Sequence, residues 1–311
     1  MLGISFISTG TTATQTPVFA SIAYEMIKYW IKNEEDAQPD FPIACVFDFS
    51  SMYSTLEFFA SDKILMRMGE LTSLTEEMSA SGEPDWSKCS FPSKFAHKDT
   101  KSPLFFIIPL FPRGTTTLLT KSDVVGLNRL IWEISRLIEK EGCRYLLYDL
   151  PPLEVTMKVQ SNSFIPALLN SNLVIGVIDC NKPKYAEVAQ EIRTLQGFLP
   201  KLDVVANPGL KLNGLILNQV SEKILYDQWF DQIEDEFSIP ILGKISEDPQ
   251  FSKIASQFQL PTIDSLFNQM KCAKDFQSAA ETIIHTLNEP ANIREVNEKQ
   301  QQYLESNIIN L

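Results

Sequence analysis

The chain has 311 residues, of which 44% are hydrophobic and 10% aromatic, with 12 glycines and 18 prolines. This composition excludes a chain that is disordered over most of its length, a collagen-like chain and a small disulfide scaffold. With 39 acidic residues against 27 Lys and Arg, the formal net charge is −12. Because such a chain is repelled by nucleic-acid phosphates and anionic lipid, the charge disfavours direct DNA binding.

The cysteines and the apolar runs predict a cytoplasmic protein. Five cysteines are scattered without a C-x-x-C pair, which is typical of reduced thiols. The sequence starts without a basic, apolar leader, and its longest apolar run, Leu104–Phe111, is far shorter than the about 20 residues that cross a membrane. We therefore expect no membrane span.

Short apolar runs alternate with amphipathic segments along the chain. We predict strands at Gly3–Ser8, Ile43–Phe49, Leu104–Leu110, Tyr145–Asp149, Leu173–Asp179, Gly214–Asn218 and Ile241–Ile245. We predict helices at Val18–Asn33, Ser122–Glu141, Lys184–Gly197, Glu222–Phe237 and Phe251–Phe258. This alternation predicts an α/β fold with a doubly wound, mostly parallel sheet, which binds ligands beyond the carboxyl ends of its strands.

Two segments interrupt the alternation. Residues 79–102 are polar and contain Pro84 and Pro92, so we predict a loop or lid inserted in a domain that spans residues 1–287. Residues 288–311 predict a C-terminal helical tail with a thin apolar stripe. Because this tail has few basic residues, the sequence favours packing against a partner over binding to a membrane surface.

A loop of small residues follows the first predicted strand. Residues Thr9–Thr16 read TGTTATQT, and we predict that Pro17 begins the next helix at a first-turn position. A strand, a small-residue loop and a helix N-terminus form an anion site, because free backbone N–H groups and the helix dipole point outward. An ordinary turn without a ligand is the alternative.

Three further motifs end predicted strands in a fixed order. Asp48 ends the second strand, Tyr145–Pro152 reads YLLYDLPP, and LILN ends at Asn218. In this order the motifs resemble the ParA/MinD family of deviant-Walker P-loop ATPases, which are partition and positioning ATPases. The most specific motif is YLLYDLPP, which looks like the family's Walker B strand running into switch II. Helix caps or turns remain the alternatives for Asp48 and Asn218.

The resemblance implies a three-layer α/β/α P-loop fold and a nucleotide-dependent dimer with ATP and Mg²⁺ at its interface. Asp48 and Asp149 would be catalytic, Thr16 and Asp149 would hold Mg²⁺, and Asn218 would contact adenine. The residues around the phosphates would be Gly10, Thr11, Thr12, Ala13, Thr14, Gln15 and Thr16.

The chain also departs from the family pattern, K-G-G-x-G-K-S/T-S/T. Thr9 and Thr14 stand in place of both lysines, and Ser50 stands in place of the second carboxylate after the second strand. Lysine charges at such sites stabilise the β- and γ-phosphates, so we expect weak or absent hydrolysis. Arg113, Lys182 and Lys184 lie on loops that should open on the same crevice, either as replacements or as solvated side chains.

Two functions remain open from the sequence. One is a dimeric, ATP-binding switch that positions, partitions or assembles a protein cargo or adaptor. The other is a nucleotide-independent scaffold that forms a homodimer or pairs with a related ATPase. A small-molecule enzyme on the same fold is a third hypothesis, weakened by the missing P-loop lysine.

Overall fold

The computed structural model describes residues 1–9, 12–33, 42–49, 54–67, 71–81, 85–96, 101–111, 121–153, 167–168, 170–182, 184–202, 211–221, 229–257, 259–260 and 270–289. Some residues that the sequence analysis names lie outside these ranges, namely Gly10, Thr11, Ser50, Arg113 and most of the predicted tail. The predicted tail and domain bounds stay predictions.

Within the described residues, eight strands form one sheet in the order β3-β4-β2-β5-β1-β6-β7-β8. Their bounds are β1 Leu2–Ser8, β2 Ala44–Asp48, β3 Phe91–Pro92, β4 Phe105–Pro109, β5 Tyr145–Asp149, β6 Leu173–Asp179, β7 Gly214–Val220 and β8 Ile241–Ser246. Neighbouring strands are parallel except for β3, which pairs antiparallel with β4. The predicted doubly wound, mostly parallel α/β sheet is therefore confirmed.

Helices cover both faces of this sheet. They are α1 Thr12–Asn33, α2 Ser54–Phe59, α3 Asp62–Leu65, α4 Leu74–Ser81, α5 Trp86–Cys89, α6 Lys121–Lys140, α7 Tyr185–Leu202, α8 Trp229–Phe237, α9 Pro249–Ala255 and α10 Lys271–Leu287. One buried cluster joins the sheet to α6, α7 and α8, and a second joins it to α1, α2, α9 and α10. This gives the three layers that the sequence predicts.

The start of α1 corrects the sequence prediction. The helix begins at Thr12 and Pro17 lies inside it, so Thr12–Thr16 form its first turn and not the end of a loop. Glycines would favour a loop here, whereas alanine and glutamine are good helix formers and Ala13 and Gln15 occupy this turn. Pro17 lacks a backbone N–H, so the helix is missing one hydrogen bond at this point.

The predicted loop 79–102 contains regular structure. The end of α4, the short helix α5 and strand β3 lie within it, and Ala96 forms an isolated bridge with Pro103. Strand β3 is only two residues long, so it shows no alternation that a sequence could reveal. Its Pro92 is tolerated because β3 is at the edge of the sheet.

Aromatic contacts fix α1 against the centre of the sheet. Trp30 of α1 stacks on Tyr145 of β5, with ring centroids 3.6 Å apart, and Phe19 packs edge-on against Phe6 of β1 at 5.1 Å. Since β1 and β5 are paired neighbours, these two contacts hold both ends of α1 against the centre of the sheet.

Gly3 provides a test of this central packing. A Cβ at Gly3 would lie 2.1 Å from the backbone oxygen of Asn170, so we expect Gly3→Ala to lower the free energy of unfolding by about 2–3 kcal/mol. Gly126→Ala is the matched control, because Gly126 is exposed on α6 and a Cβ there would meet nothing within 4 Å. It should raise stability by about 1 kcal/mol. Urea denaturation measures the free energy of unfolding of both variants. Equal changes in the two would contradict the close approach of Gly3 to the backbone of Asn170.

Candidate functional site

Polar side chains collect at the carboxyl ends of the central strands. Asp48 of β2 and Asp149 of β5 are register partners on adjacent strands, and Asn218 of β7 pairs with Asp179 of β6. The N-terminal turn of α1 follows β1 at the same edge of the sheet. The structure therefore brings Asp48, Asp149 and the first turn of α1 together, as the sequence predicts for a doubly wound sheet.

Asp149 is the centre of a buried hydrogen-bond network. Its carboxylate is 2% exposed and accepts hydrogen bonds from three side chains. Gln15 Nε2 donates to Oδ1 at 3.0 Å, while Thr16 Oγ1 at 3.0 Å and Thr55 Oγ1 at 2.5 Å donate to Oδ2. These donors belong to α1 and α2, so the carboxylate ties both helices to the end of β5.

Gln15 makes several contacts in this network that no sequence motif predicts. Besides Asp149, its Nε2 donates to the backbone oxygen of Leu150 and lies 3.4 Å from that of Phe6. Its Oε1 accepts a hydrogen bond from Ser8 Oγ at 2.5 Å. The sequence assigned Gln15 only to the phosphate loop. The one feature of the sequence that could have indicated this role is that Gln15 has an amide at a position where the family pattern has a hydroxyl.

Burial dominates the electrostatics of Asp149. Removal from water raises the pKa of its carboxyl group to about 6, against the lowering effect of the hydrogen bonds from Thr55, Thr16 and Gln15. A carboxylate in this environment is therefore held at an energetic cost that only its hydrogen-bond donors offset.

Asp48 holds the N-terminus of helix α2 through hydrogen bonds to its backbone. Its buried Oδ2 accepts hydrogen bonds from the backbone N–H groups of Thr55 at 3.1 Å and Leu56 at 3.2 Å. These groups open helix α2 and have no partner within the helix itself, so Asp48 satisfies them as a capping residue would. Its catalytic role stays a prediction. Thr55, which the sequence did not single out, links Asp48 to Asp149.

Asn218 presents an unsatisfied acceptor at the same edge. Its side chain is 2% exposed, and its Oδ1 has no hydrogen-bond partner in the described part of the chain. The next residue, Gln219, has a φ of 57°, in the left-handed region that non-glycine residues rarely occupy. A buried amide oxygen without a donor costs free energy, so this position is suited to a ligand that donates a hydrogen bond.

The remaining predicted residues contribute less to the described geometry. The structure does not describe Gly10, Thr11 or Arg113. It also does not describe the side chains of Thr12, Ala13 and Thr14. Lys182 forms an ion pair with Glu191 of α7, and Lys184 is exposed. Their predicted roles in phosphate binding stay untested predictions.

The described residues do not fit a magnesium ion. Mg²⁺ requires an octahedron of oxygen ligands at about 2.0–2.1 Å. Here Gln15 turns its NH₂ group, not its oxygen, toward Asp149, and the hydroxyls of Thr16 and Thr55 donate to the same carboxylate. Among the described residues, no three His, Cys, Asp or Glu side chains group together as ligands for a metal ion.

Solved structures identify the fold. MinD from Aquifex aeolicus superposes with a TM-score of 0.61 at 14% identity, covering 92% of this chain and 97% of its own. A ParA family ATPase from Chlorobium tepidum gives 0.54 at 16% identity over 90% and 98% of the two chains. No protein-family model matches the chain, and no curated protein matches it in sequence.

The chain has the fold of the ParA/MinD-like P-loop ATPases. The same fold is found in cobyrinic acid a,c-diamide synthase from Mycobacterium smegmatis, with a TM-score of 0.55 at 14% identity over 93% of this chain and 96% of that one. The fold therefore carries more than one chemistry, and function must be argued from the site.

None of the helices in the described ranges combines the length and the apolar character that a membrane crossing needs.

The pKa of Asp149 makes a prediction about stability and pH. Because the folded-state pKa of about 6 lies above the ordinary value of 3.8, the folded protein binds this proton more tightly than the unfolded chain. The contribution of Asp149 to stability therefore falls as the pH rises from about 4 to above 6. Asp149→Asn keeps the shape and removes the titration.

We expect the stability of Asp149→Asn relative to the wild type to increase by about 1 kcal/mol between pH 5 and pH 8. Urea denaturation of both proteins at constant ionic strength measures this difference, and all other titrating groups cancel. Parallel pH profiles for the two proteins would contradict the raised pKa of the buried Asp149 carboxyl group.

Proposed function

We propose that this protein is a ParA/MinD-like nucleotide-binding protein with a degenerate P-loop. It acts as a dimeric switch in the positioning, partition or assembly of a cargo, with weak or absent ATP hydrolysis. The observation that carries this proposal is the buried Oδ1 of Asn218 at the carboxyl edge of the sheet, which has no hydrogen-bond partner among the described residues. An adenine amino group is a donor of the kind that this oxygen lacks.

Weak hydrolysis follows from the groups at the crevice. Thr9 and Thr14 replace the two lysines of the family pattern, so no ammonium group from those positions can stabilise the charge that develops on transferred phosphate. Asp149 accepts three hydrogen bonds from protein donors and Asp48 caps α2. Both carboxylates are therefore engaged by protein donors in this arrangement, which favours slow hydrolysis.

The proposed partners are proteins. MinD from Aquifex aeolicus is found in a complex with the cell division protein MinC, and that structure has a TM-score of 0.61 to this chain at 13% identity, over 92% of this chain and 96% of that one. By analogy we propose that this chain forms a homodimer, or a heterodimer with a related ATPase, and recruits a protein cargo in the cytoplasm. The net charge of −12 disfavours direct contact with DNA.

A nucleotide-independent scaffold is the second candidate. It is favoured by the Asp149 network, in which Gln15, Thr16 and Thr55 satisfy the carboxylate without any ligand. A site that is complete in itself does not need nucleotide to hold α1 and α2 in place. The scaffold would then dimerise whether or not nucleotide is present.

Asn218→Leu separates ligand binding from folding. It removes the unpartnered acceptor, so we expect at least about tenfold weaker ATP binding but no loss of stability, because a buried group without a partner costs about 1–3 kcal/mol. Asn33→Leu is the control, since Asn33 is exposed at the far end of α1.

Calorimetry with ATP and ADP, with light scattering in parallel, measures both binding and oligomeric state. The switch predicts a dissociation constant below about 100 µM, or about −5.5 kcal/mol, with dimerisation that depends on ATP. An absence of heat up to millimolar ATP, with an unchanged mass, would leave the scaffold as the function.

A further inference from the structure

The amide nitrogen of Gln15 lies among oxygen atoms of three different residues. Asp149 Oδ1 is 3.0 Å from Nε2, the backbone oxygen of Leu150 accepts a hydrogen bond from it, and that of Phe6 lies at 3.4 Å. Gln15 itself is 1% exposed. One carboxylate and two carbonyl oxygens are the ligand types that divalent cations prefer in proteins, and here they surround an NH₂ group.

Ser8 fixes the orientation of this amide. Its hydroxyl donates to Gln15 Oε1 at 2.5 Å, on the side of the amide away from Asp149. The opposite orientation would turn Oε1 toward a carboxylate and two carbonyl oxygens, none of which has a hydrogen to donate. The chemistry of the surrounding atoms therefore requires the NH₂ group to face Asp149.

We propose that Gln15 takes the place of a divalent cation beside Asp149, so that ligand binding in this crevice needs no metal. The ligand in this inference is the nucleotide of the proposed function, so that part rests on the proposed function. The role of Gln15 toward a metal ion does not depend on it. Gln15 belongs to α1, whereas Phe6 belongs to β1 and Leu150 follows β5. The amide thus joins α1 to β1 and to the end of β5.

Gln15→Glu tests whether the amide occupies a cation position. This variant has nearly the same shape but sets a second carboxylate beside Asp149, so in EDTA it should unfold at a lower temperature than the wild type. Added Mn²⁺ should bind at one site per chain and restore the midpoint of unfolding. The matched control is Gln15→Glu combined with Asp149→Asn, which should lose both the Mn²⁺ site and the recovery.

The wild type provides a second, independent measurement. Titration with Mn²⁺ alone, followed by electron paramagnetic resonance, should show no site in the wild type beyond those in Asp149→Asn. A wild-type Mn²⁺ site that disappears in Asp149→Asn would overturn the inference, and so would a folded Gln15→Glu protein that gains no site. If Gln15→Glu does not fold with or without Mn²⁺, the wild-type titration decides.

Nucleotide titrations distinguish this inference from the proposed function. Comparable ATP affinity in EDTA and in Mg²⁺ supports both of them. ATP binding that is tenfold or more tighter with Mg²⁺ overturns the metal-free site and leaves the switch standing. No nucleotide binding in either buffer overturns the switch, while the Mn²⁺ results still decide the role of Gln15.

Discussion

The buried carboxylate of Asp149 is the constraint on which the architecture of this crevice depends. An ionised group that is 2% exposed costs several kcal/mol unless hydrogen-bond donors replace the water it has lost. The donors come from α1 and α2, so satisfying one carboxylate fixes two helices against the sheet. Thr55 extends this constraint to Asp48, because its N–H and its hydroxyl contact the two carboxylates separately.

The residues that depart from the family pattern in the first loop can be explained by their effect on the charge around Asp149. Thr14 replaces a lysine of the family pattern, so one positive charge that could stabilise anionic groups in the crevice is missing. Gln15 replaces a hydroxyl residue and supplies an NH₂ group to the carboxylate of Asp149. A neutral amide stabilises this carboxylate without a cation, although the carboxylate keeps its charge. The proposed consequence is that Gln15, which ties α1 to the end of β5, also occupies the position where a metal ion would contact Asp149.

Sequence patterns predicted the sheet well because its central strands are near-continuous apolar runs that end in polar residues. They placed Asp149 at the end of its strand, where the structure has it, whereas the strand that they ended at Asn218 continues to Val220. They missed β3, whose two residues show no periodicity, and began α1 too late because they treated Pro17 as a first-turn residue. The contacts of Asp149 with Thr55 and Gln15 join residues 94 and 134 positions apart, and only the folded chain reveals such pairings.

The most direct test of this account is hydrogen exchange of the Gln15 side-chain amide, followed by NMR on protein labelled with ¹⁵N-glutamine and assigned with Gln15→Ser. We expect the two amide protons of Gln15 to exchange slowly, because acceptors from Asp149 and Leu150 hold the buried NH₂ group. We also expect added Mg²⁺ to leave their signals unchanged. Rapid exchange, or signals that move when Mg²⁺ is added, would contradict the claim that Gln15 stands where a cation would bind.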